Sequence, residues 1–192
     1  MTGTATFGEL TGDYILVTAD TRIGFVARHP IGPKVRGQFE EFAGGGHLDG
    51  NDPSRSRVKL TIQAGSIQTH NSQRDGLLRG KFLDRDHYPT IAFASTGVRQ
   101  VDETAFELTG GLTIRGVTKP VTVAFERTGI QRDPRDGIRI QFTGSAMINR
   151  ADWGVNWNAA TSASISKKVA LEFDVVLRRT GLTAQRSPAQ PR

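Results

Sequence analysis

The feature that most constrains the fold of this chain is a regular alternation of apolar and polar residues in many separate segments. A period of two places successive side chains on opposite faces of a β-strand, so each segment indicates a strand with one buried face. The alternating apolar positions are Ile23, Phe25 and Ala27; Val58, Leu60, Ile62 and Ala64; Phe106, Leu108, Leu112 and Ile114; Val121, Val123 and Phe125; Ile138, Ile140, Phe142, Ala146 and Ile148; and Val169, Leu171, Phe173, Val175 and Leu177. Because no long helical pattern separates them, they predict an antiparallel meander.

Turn-forming residues separate the alternating segments, at 49–50, 110–111, 116–120 and 132–137. The glycine run at 44–46 lies between strand-like segments and indicates a bulge or a tight turn. An antiparallel meander must hide its apolar face and its unpaired edges, and closure into a barrel achieves both. The sequence therefore predicts an all-β fold, an antiparallel β-barrel of about eight strands, whose interior has room for side chains or one small ligand.

The segment 71–83 departs from the alternation. Asn71 is a common N-cap residue, and Leu78 and Phe82 lie four positions apart, as on one face of a helix. Gly76 and Gly80 lower the helix propensity, so this helix needs support from the rest of the fold. We predict a short helix that caps one end of the barrel and turns its apolar side to the lumen.

The length of 192 residues suits a single domain. Residues 1–12 are small and polar, and 180–192 lack an apolar period, so we expect flexible ends around a barrel domain at 13–179. The first 13 residues contain neither the basic nor the apolar region of a secretory signal, which favours a cytoplasmic protein. No apolar run approaches the roughly 20 residues that a membrane-spanning helix needs.

The net charge of +6 overstates the basic character of the folded part. Four positive charges lie in a terminal stretch without acidic residues, and 6 − 4 leaves +2 for the rest. Those four residues are Arg178, Arg179, Arg186 and Arg192. So small a remainder gives weak support for a phosphate-binding surface, and we expect no nucleic-acid partner.

Patterns typical of catalysis or metal binding are weak. The chain has no cysteine, and its four histidines, His29, His47, His70 and His87, lack the spacing of metal ligands. No serine stands in the G-x-S-x-G turn of a hydrolase nucleophile. We therefore predict no metal site and no catalytic residues.

Four ordered blocks of sequence carry a resemblance to a known family. They are RIGFVARHPIGPKVRGQF from Arg22, SIQTHNSQRDGLLRGKFLDRDHYPTIAFAST from Ser66, GGLTIRGVTKPVTV from Gly110 and INRADWGV from Ile148. Together they resemble the YceI family from about Tyr14 to Leu177. The family's R-D-x-H-L-R-S pattern is matched at Arg74, Asp75, Leu78 and Arg79, while Leu77 and Gly80 stand where His and Ser are usual.

The resemblance implies a lipocalin-like extended barrel that binds polyisoprenoid lipids, such as long-tailed quinones, or other amphiphilic chains. It implies no catalytic residues, no cofactor besides the bound lipid, and a homodimer. Many members carry a secretory signal and work in the periplasm. Because this sequence shows no such signal, a cytoplasmic branch is the simpler interpretation.

Strand alternation and the resemblance together predict which residues line the lumen. The apolar set is Ile23, Phe25, Phe39, Ile62, Ile67, Leu78, Phe82, Ile91, Phe93, Leu112, Ile114, Phe142, Ile148, Trp153 and Phe173. Any of these residues could equally be plain core. Candidate contacts for a lipid headgroup are His29, Arg74, Asp75, Arg150 and Asp152. Arg74 and Asp75 could instead tie the helix to the barrel through salt bridges.

Two other functions stay open at this point. The barrel could be an enzyme for a hydrophobic substrate, with His29 or His87 as acid or base. It could also be a stress-related barrel whose interior is filled by side chains and which acts through protein partners. An apolar hollow lumen would favour lipid binding over both.

Overall fold

The computed structural model describes residues 7–29, 31–156 and 165–181, which form eleven β-strand segments and one α-helix. The strands are β1 Gly12–Leu16, β2 Arg22–Ala27, β3 Val35–Phe39, β4 Phe42–Leu48, β5 Arg57–Gln63, β6 Ile67–Gln68, β7 Thr90–Gln100, β8 Ala105–Ile114, β9 Val117–Asp133, β10 Gly137–Asn149 and β11 Lys168–Arg179, and the helix is α1 Ser72–Leu77. Every strand pairing is antiparallel.

Six of the segments are the two halves of three long strands. β1 pairs with β4 and β2 with β3, while β4 pairs with β5 and β3 with β6. Each of the three long strands is thus interrupted once, between β1 and β2, between β3 and β4, and between β5 and β6. β5 pairs with β7, then β7 to β11 pair in order, and β11 pairs with both β1 and β2. The described residues therefore close into an antiparallel barrel of eight long strands, as predicted.

The predicted alternation fixes the inner face of this barrel. Buried apolar side chains form two clusters, one at each end of the barrel. One cluster contains Tyr14, Ile138 and Ile140 and lies at the end formed by the β7–β8 and β9–β10 hairpins, which we call the hairpin end. The other contains Ile23, Ile114 and Ile148 and lies at the end that carries α1, which we call the helix end.

The turn predicted at 110–111 is wrong, and so is the bulge or tight turn at 44–46. Both runs lie inside strands, β8 and β4. A Cβ on Gly110 would collide with the Phe93 ring, and one on Gly44 would lie 2.7 Å from the Lys59 carbonyl oxygen. These glycines serve close approach within the sheet rather than chain reversal.

The predicted helix at 71–83 is confirmed. The Asn71 side chain accepts a hydrogen bond from the Arg74 N–H at 2.9 Å and caps α1, and a π-helical turn continues the segment over Leu78–Phe82. A Cβ added at Gly76 or Gly80 would have no atom within 4 Å, so packing does not require glycine there. The buried side chain of Phe82 supplies the support that this short helix needs.

Part of the segment 1–12, which we expected to be flexible, is ordered. Phe7–Leu10 form a 3₁₀ turn, and Leu10 is 4% exposed. The Tyr14 hydroxyl donates a 2.7 Å hydrogen bond to the Leu10 carbonyl, which holds this turn on the barrel. Burial raises the pKa of the Tyr14 hydroxyl. The rest of the expected flexible ends lies outside the described residues, at 1–6 and 182–192.

Candidate functional site

The barrel encloses a cavity of about 440 Å³ between its two buried clusters. Its wall runs from Leu78 at the helix end to Leu10 and Leu48 at the hairpin end. Midway along, Phe93 and Phe173 point to the inner face yet are only half-buried. An inward side chain that keeps exposed surface borders empty space, so the interior is hollow and the alternative of a barrel filled by side chains is wrong.

The predicted lumen residues lie on the wall of this cavity with one exception. Those that line it are Ile23, Phe25, Phe39, Ile62, Ile67, Leu78, Phe82, Ile91, Phe93, Leu112, Ile114, Phe142, Ile148 and Phe173. Trp153 does not line it, because its ring is 3% exposed in the core beside the cavity and its indole N–H donates to the Leu112 carbonyl at 2.9 Å. Contact of these residues with a ligand stays a prediction.

The sequence prediction of the lining omitted several inward residues. Val121, Val123, Phe125 and Leu171 also line the cavity. Their own alternation along β9 and β11 was the signal that could have found them. Arg127 lines the cavity as well, next to an irregularity in the β9–β10 pairing that alternation alone does not reveal.

Glycines on the inner face keep phenyl rings close to the wall. A Cβ on Gly144 would collide with the Phe125 ring, and a Cβ on Gly37 would collide with the Phe25 ring. Each ring therefore occupies the space above a glycine of the neighbouring strand instead of projecting further toward the barrel axis. This arrangement lets large aromatic residues line the lumen without filling it.

Two predicted headgroup residues, Arg74 and Asp75, belong to a hydrogen-bonded network at the start of α1. Asp75 is 2% exposed, accepts hydrogen bonds from the Thr69 N–H and hydroxyl, and does not line the cavity. Arg74 does line the cavity, and its guanidinium donates to the Thr69 hydroxyl at 2.8 Å and carbonyl at 3.0 Å. Hydrogen bonds to Thr69, rather than salt bridges, tie α1 to the end of β6.

Arg150 lines the cavity but is held by the protein itself. Its side chain is 6% exposed and donates to the carbonyls of Val155 at 2.6 Å, Ile165 at 3.0 Å and Ser166 at 3.1 Å, and to Asn156 Oδ1 at 2.7 Å. Burial lowers the pKa of the guanidinium. Four oxygen acceptors satisfy the buried cation without a carboxylate.

The other two headgroup candidates and the proposed acid or base residues lie away from the lumen. His29 and Asp152 are exposed and do not line the cavity, and the His29 ring contacts the carbonyl of Ile31 at 2.9 Å. His87 is exposed and lies 2.8 Å from Asp84, a hydrogen bond that raises the pKa of the imidazole. The geometry thus does not place His29 or His87 where an enzyme acting in the lumen would need them.

Two further features concern the ranges that the structure describes. No three histidine, aspartate or glutamate side chains there are grouped so that they could hold a metal ion. No helix within the same ranges has both the length and the apolar character required to cross a membrane.

A family model, the YceI-like domain, matches residues 14–177 of the chain. Among curated proteins, a UPF0312 protein of Pseudomonas paraeruginosa is 41% identical over 120 residues, which cover 62% of each chain. A UPF0312 protein of Vibrio vulnificus is 32% identical over 152 residues, which cover 78% of this chain and 80% of that protein. The chain thus spans 62% of the length of the first of these relatives.

Solved structures with the same fold include BcnA of Burkholderia cenocepacia, with a TM-score of 0.75, 21% identity, and coverage of 84% of this chain and 98% of that chain. A YceI protein of Campylobacter jejuni gives a TM-score of 0.69 at 23% identity and covers 80% of this chain and 90% of that one. A polyisoprenoid-binding domain from Saccharophagus degradans gives 0.66 at 16% identity and covers 87% and 98%. At these identities the likeness concerns the fold alone.

Proposed function

Because this chain belongs to the YceI-like domain family, we propose that it binds one long isoprenoid, or another long amphiphilic lipid, in its lumen and sequesters or carries it through water. The observation that carries the proposal is the hollow apolar interior, where inward side chains midway along the barrel, such as Phe93 and Phe173, stay half-buried. The cavity volume of about 440 Å³ falls within the range of about 300–1,000 Å³ for small-molecule sites.

The chemistry of the wall favours an apolar tail over a polar substrate. Most lining residues are aliphatic or phenylalanine, and the charged ones are few: Asp49, Lys59, Arg74, Arg127 and Arg150. One structural neighbour is described as a polyisoprenoid-binding domain, which makes a polyprenyl or quinone-type tail our first choice of ligand.

Tail length should set affinity. Transfer of a tail from water to an apolar tunnel contributes roughly 0.8 kcal/mol per methylene, whereas association costs on the order of 4–15 kcal/mol. A tail of about ten carbons therefore binds marginally, while one above about twenty carbons binds well.

The proposal includes binding without catalysis. The described polar side chains on the wall include three arginines, Arg74, Arg127 and Arg150, and the one carboxylate among the described lining residues is Asp49, at the hairpin end. Guanidinium groups stay protonated near neutral pH, so this set can attract an oxygen-bearing headgroup by charge but does not exchange protons. A cytoplasmic location and a homodimer stay predictions.

Lipid mass spectrometry and native mass spectrometry test the proposal. We expect lipid to co-purify from cells and delipidated protein to bind solanesol and geranylgeraniol one to one, but geraniol only weakly. Phe93→Arg places a cation on the wall and should abolish uptake, and Leu60→Gln, on the paired strand, should weaken it. Ala94→Arg is the matched control, because Ala94 is exposed and does not line the cavity. Equal binding of all three alcohols, or full uptake by folded Phe93→Arg protein, would refute the proposal.

A further inference from the structure

Exposed apolar side chains gather at the helix end of the barrel. Seven large hydrophobic residues in the described part of the chain are exposed, and four of them lie in the helix and the connecting segments at this end, while Met147 faces outward from β10 nearby. These are Ile31 (89% exposed), Leu77 (37%), Tyr88 (38%) and Val117 (37%), from the β2–β3 loop, α1, the segment before β7 and the β8–β9 hairpin. We call these four residues the apolar rim.

Hydrogen bonds and contacts join the elements that carry the apolar rim. The Arg115 guanidinium, in the β8–β9 hairpin, donates to the carbonyls of Phe82 at 3.2 Å and Gly154 at 2.7 Å. A Cβ on Gly116 would lie 3.0 Å from the Tyr88 ring, so that ring packs beside Val117. The Ser166 N–H donates to the Arg28 carbonyl at 3.0 Å and ties the end of β2 to the start of β11. The four residues thus surround one end of the barrel.

Exposed cations stand around the apolar rim. They are Arg28, Lys34, Lys81, Lys167 and Lys168, and no ion pair joins any of them to a carboxylate within the ranges that the structure describes. Of the acids at this end, Asp84 pairs with His87 at 2.8 Å and Asp86 with Arg85 at 3.6 Å, and the exposed Asp152 offsets only one of the five positive charges. The rim therefore combines apolar surface with positive charge that is free to interact with anions.

The apolar rim is continuous with the cavity. Leu77 lines the cavity and is also 37% exposed, so the apolar wall reaches the protein surface at α1. We propose that the helix end docks on an anionic lipid bilayer, with Ile31 and Leu77 in the interfacial region and the surrounding cations beside the phosphates. Apolar insertion and attraction to anionic lipids both strengthen interfacial binding of this kind. The inference deepens the proposed function by giving the lumen a place to exchange its lipid.

Sedimentation of the full-length protein with vesicles tests docking without any lumen ligand. We expect binding to vesicles of phosphatidylglycerol and phosphatidylcholine, and at least about tenfold weaker binding to phosphatidylcholine alone. Ile31→Asp should weaken binding by about tenfold, because it removes an inserted aliphatic side chain and adds a negative charge. Val101→Asp is the matched control, since Val101 is 51% exposed but lies at the hairpin end.

Charge variants test the electrostatic part separately. Lys34→Glu combined with Lys81→Glu should lower binding to anionic vesicles by at least about tenfold. Arg135→Glu, at an exposed position in the β9–β10 hairpin, should leave it unchanged. Equal binding of the parent protein to both vesicle types would overturn the proposal. So would equal losses of vesicle binding in the variants at the helix end and at the hairpin end. So would sedimentation velocity showing that Ile31→Asp dissociates a dimer while vesicle binding is absent.

Docking and lumen binding can fail independently. Native mass spectrometry with geranylgeraniol in vesicle-free solution should show the same stoichiometry for Ile31→Asp and the parent protein, because Ile31 does not line the cavity. Vesicle binding without geranylgeraniol uptake would support docking and refute the carrier function. Geranylgeraniol uptake without vesicle binding would support the carrier function and refute docking.

Discussion

The two ends of this barrel are built from the same strands but differ in almost every physical property. At the hairpin end, Leu10, Tyr14 and Ile140 form a buried plug, and arginines such as Arg132 and Arg99 pair with Glu9 and Glu107 at 2.6 Å. At the helix end the cavity wall reaches the surface, and the five exposed cations around the apolar rim have no carboxylate ion-pair partner among the described residues. Both ends contain a buried apolar cluster, but only at the helix end is it joined to an exposed apolar and cationic rim.

Three adjacent strand breaks produce this difference. The 3₁₀ turns Thr18–Asp20 and Ala64–Ser66 interrupt two strands, and residues 40–41 interrupt the strand between them. The breaks are bonded to each other, since the Glu40 N–H donates to the Ser66 carbonyl at 3.2 Å. Beyond the breaks, β6 pairs with β3 while β7 pairs with β5, so β6 and β7 separate. The sheet is therefore open between β6 and β7 at the helix end.

The helix segment covers the resulting open edge. The Arg79 guanidinium donates to the Ile67 carbonyl at 2.8 Å, and that of Arg74 donates to the Thr69 carbonyl. These donors satisfy carbonyls that a neighbouring strand would otherwise bind, which is one way to protect a sheet edge. The polar residues after Asn71 therefore hold the mouth of the barrel open without leaving an unpaired edge.

Truncation of a buried side chain at the hairpin end and of a half-buried one at the helix end should give the largest contrast. Ile138→Ala removes a 6% exposed side chain from the hairpin-end plug and should lower the free energy of unfolding by about 3 kcal/mol. Leu78→Ala should cost only about 1 kcal/mol, since Leu78 already borders the cavity, but should weaken geranylgeraniol binding. Urea unfolding followed by circular dichroism, with native mass spectrometry, measures both effects. Similar stability losses for the two variants would contradict the conclusion that Leu78 borders empty space while Ile138 is fully packed.

The alternation of apolar and polar residues, with its period of two, predicted most of the fold. That period, together with turn signals at 49–50 and 132–137, was enough for the barrel, and Asn71 with Leu78 and Phe82 was enough for the helix. The strand breaks were not predictable, because they are specified by hydrogen bonds between neighbouring strands such as that from Glu40 to Ser66. Glycines inside β4 and β8 misled the turn prediction, since a glycine needed for close approach cannot be told from a turn glycine by its spacing.

A second prediction concerns the glycines that keep the lumen hollow. Gly144→Ala should push the Phe125 ring toward the barrel axis and weaken geranylgeraniol binding by about tenfold, which corresponds to about 1.4 kcal/mol. Adding Phe125→Leu should restore binding, because the smaller side chain leaves room for the new methyl group. Gly97→Ala is the control, since nothing lies within 4 Å of a Cβ there. Unchanged binding by folded Gly144→Ala protein, measured by titration calorimetry, would show that ring placement does not limit the lumen.

For the candidate site, the sequence predicted the apolar wall much better than the polar groups. Alternation determines which side chains of a closed barrel point inward, so residues such as Phe93 were assigned to the wall correctly. The role of a polar residue depends on its partners, which are distant in sequence or in irregular segments. Arg150 bonds to residues up to Ser166, and His29 bonds within its own loop. Net charge was equally uninformative, because it hides an uneven distribution between the two ends.

The smallest expected effects concern pH, and they separate the two ends by sign. At the hairpin end, Asp102 accepts the Thr104 and Ala105 N–H groups at 2.9 and 2.8 Å, and these hydrogen bonds lower the pKa of its carboxyl. Its contribution to stability is present above 3.8, its ordinary pKa, and is lost as pH falls through the lowered value. Asp49 and Asp133, which accept N–H groups of their own turns at this end, act in the same direction.

At the helix end the sign is reversed. The hydrogen bond to Asp84 raises the pKa of His87, so its contribution is complete below 6.5 and is lost as pH rises through the raised value. Asp102, Asp133 and His87 are exposed, so their effects are small, and NMR titration of carboxyl and imidazole carbons is the suitable measurement. We expect midpoints below 3.8 for Asp102 and above 6.5 for His87. Asp84→Asn should return the His87 midpoint toward 6.5 without moving that of Asp102, because the two groups lie at opposite ends of the barrel. A joint shift of both midpoints would mean that the ends are coupled rather than independent.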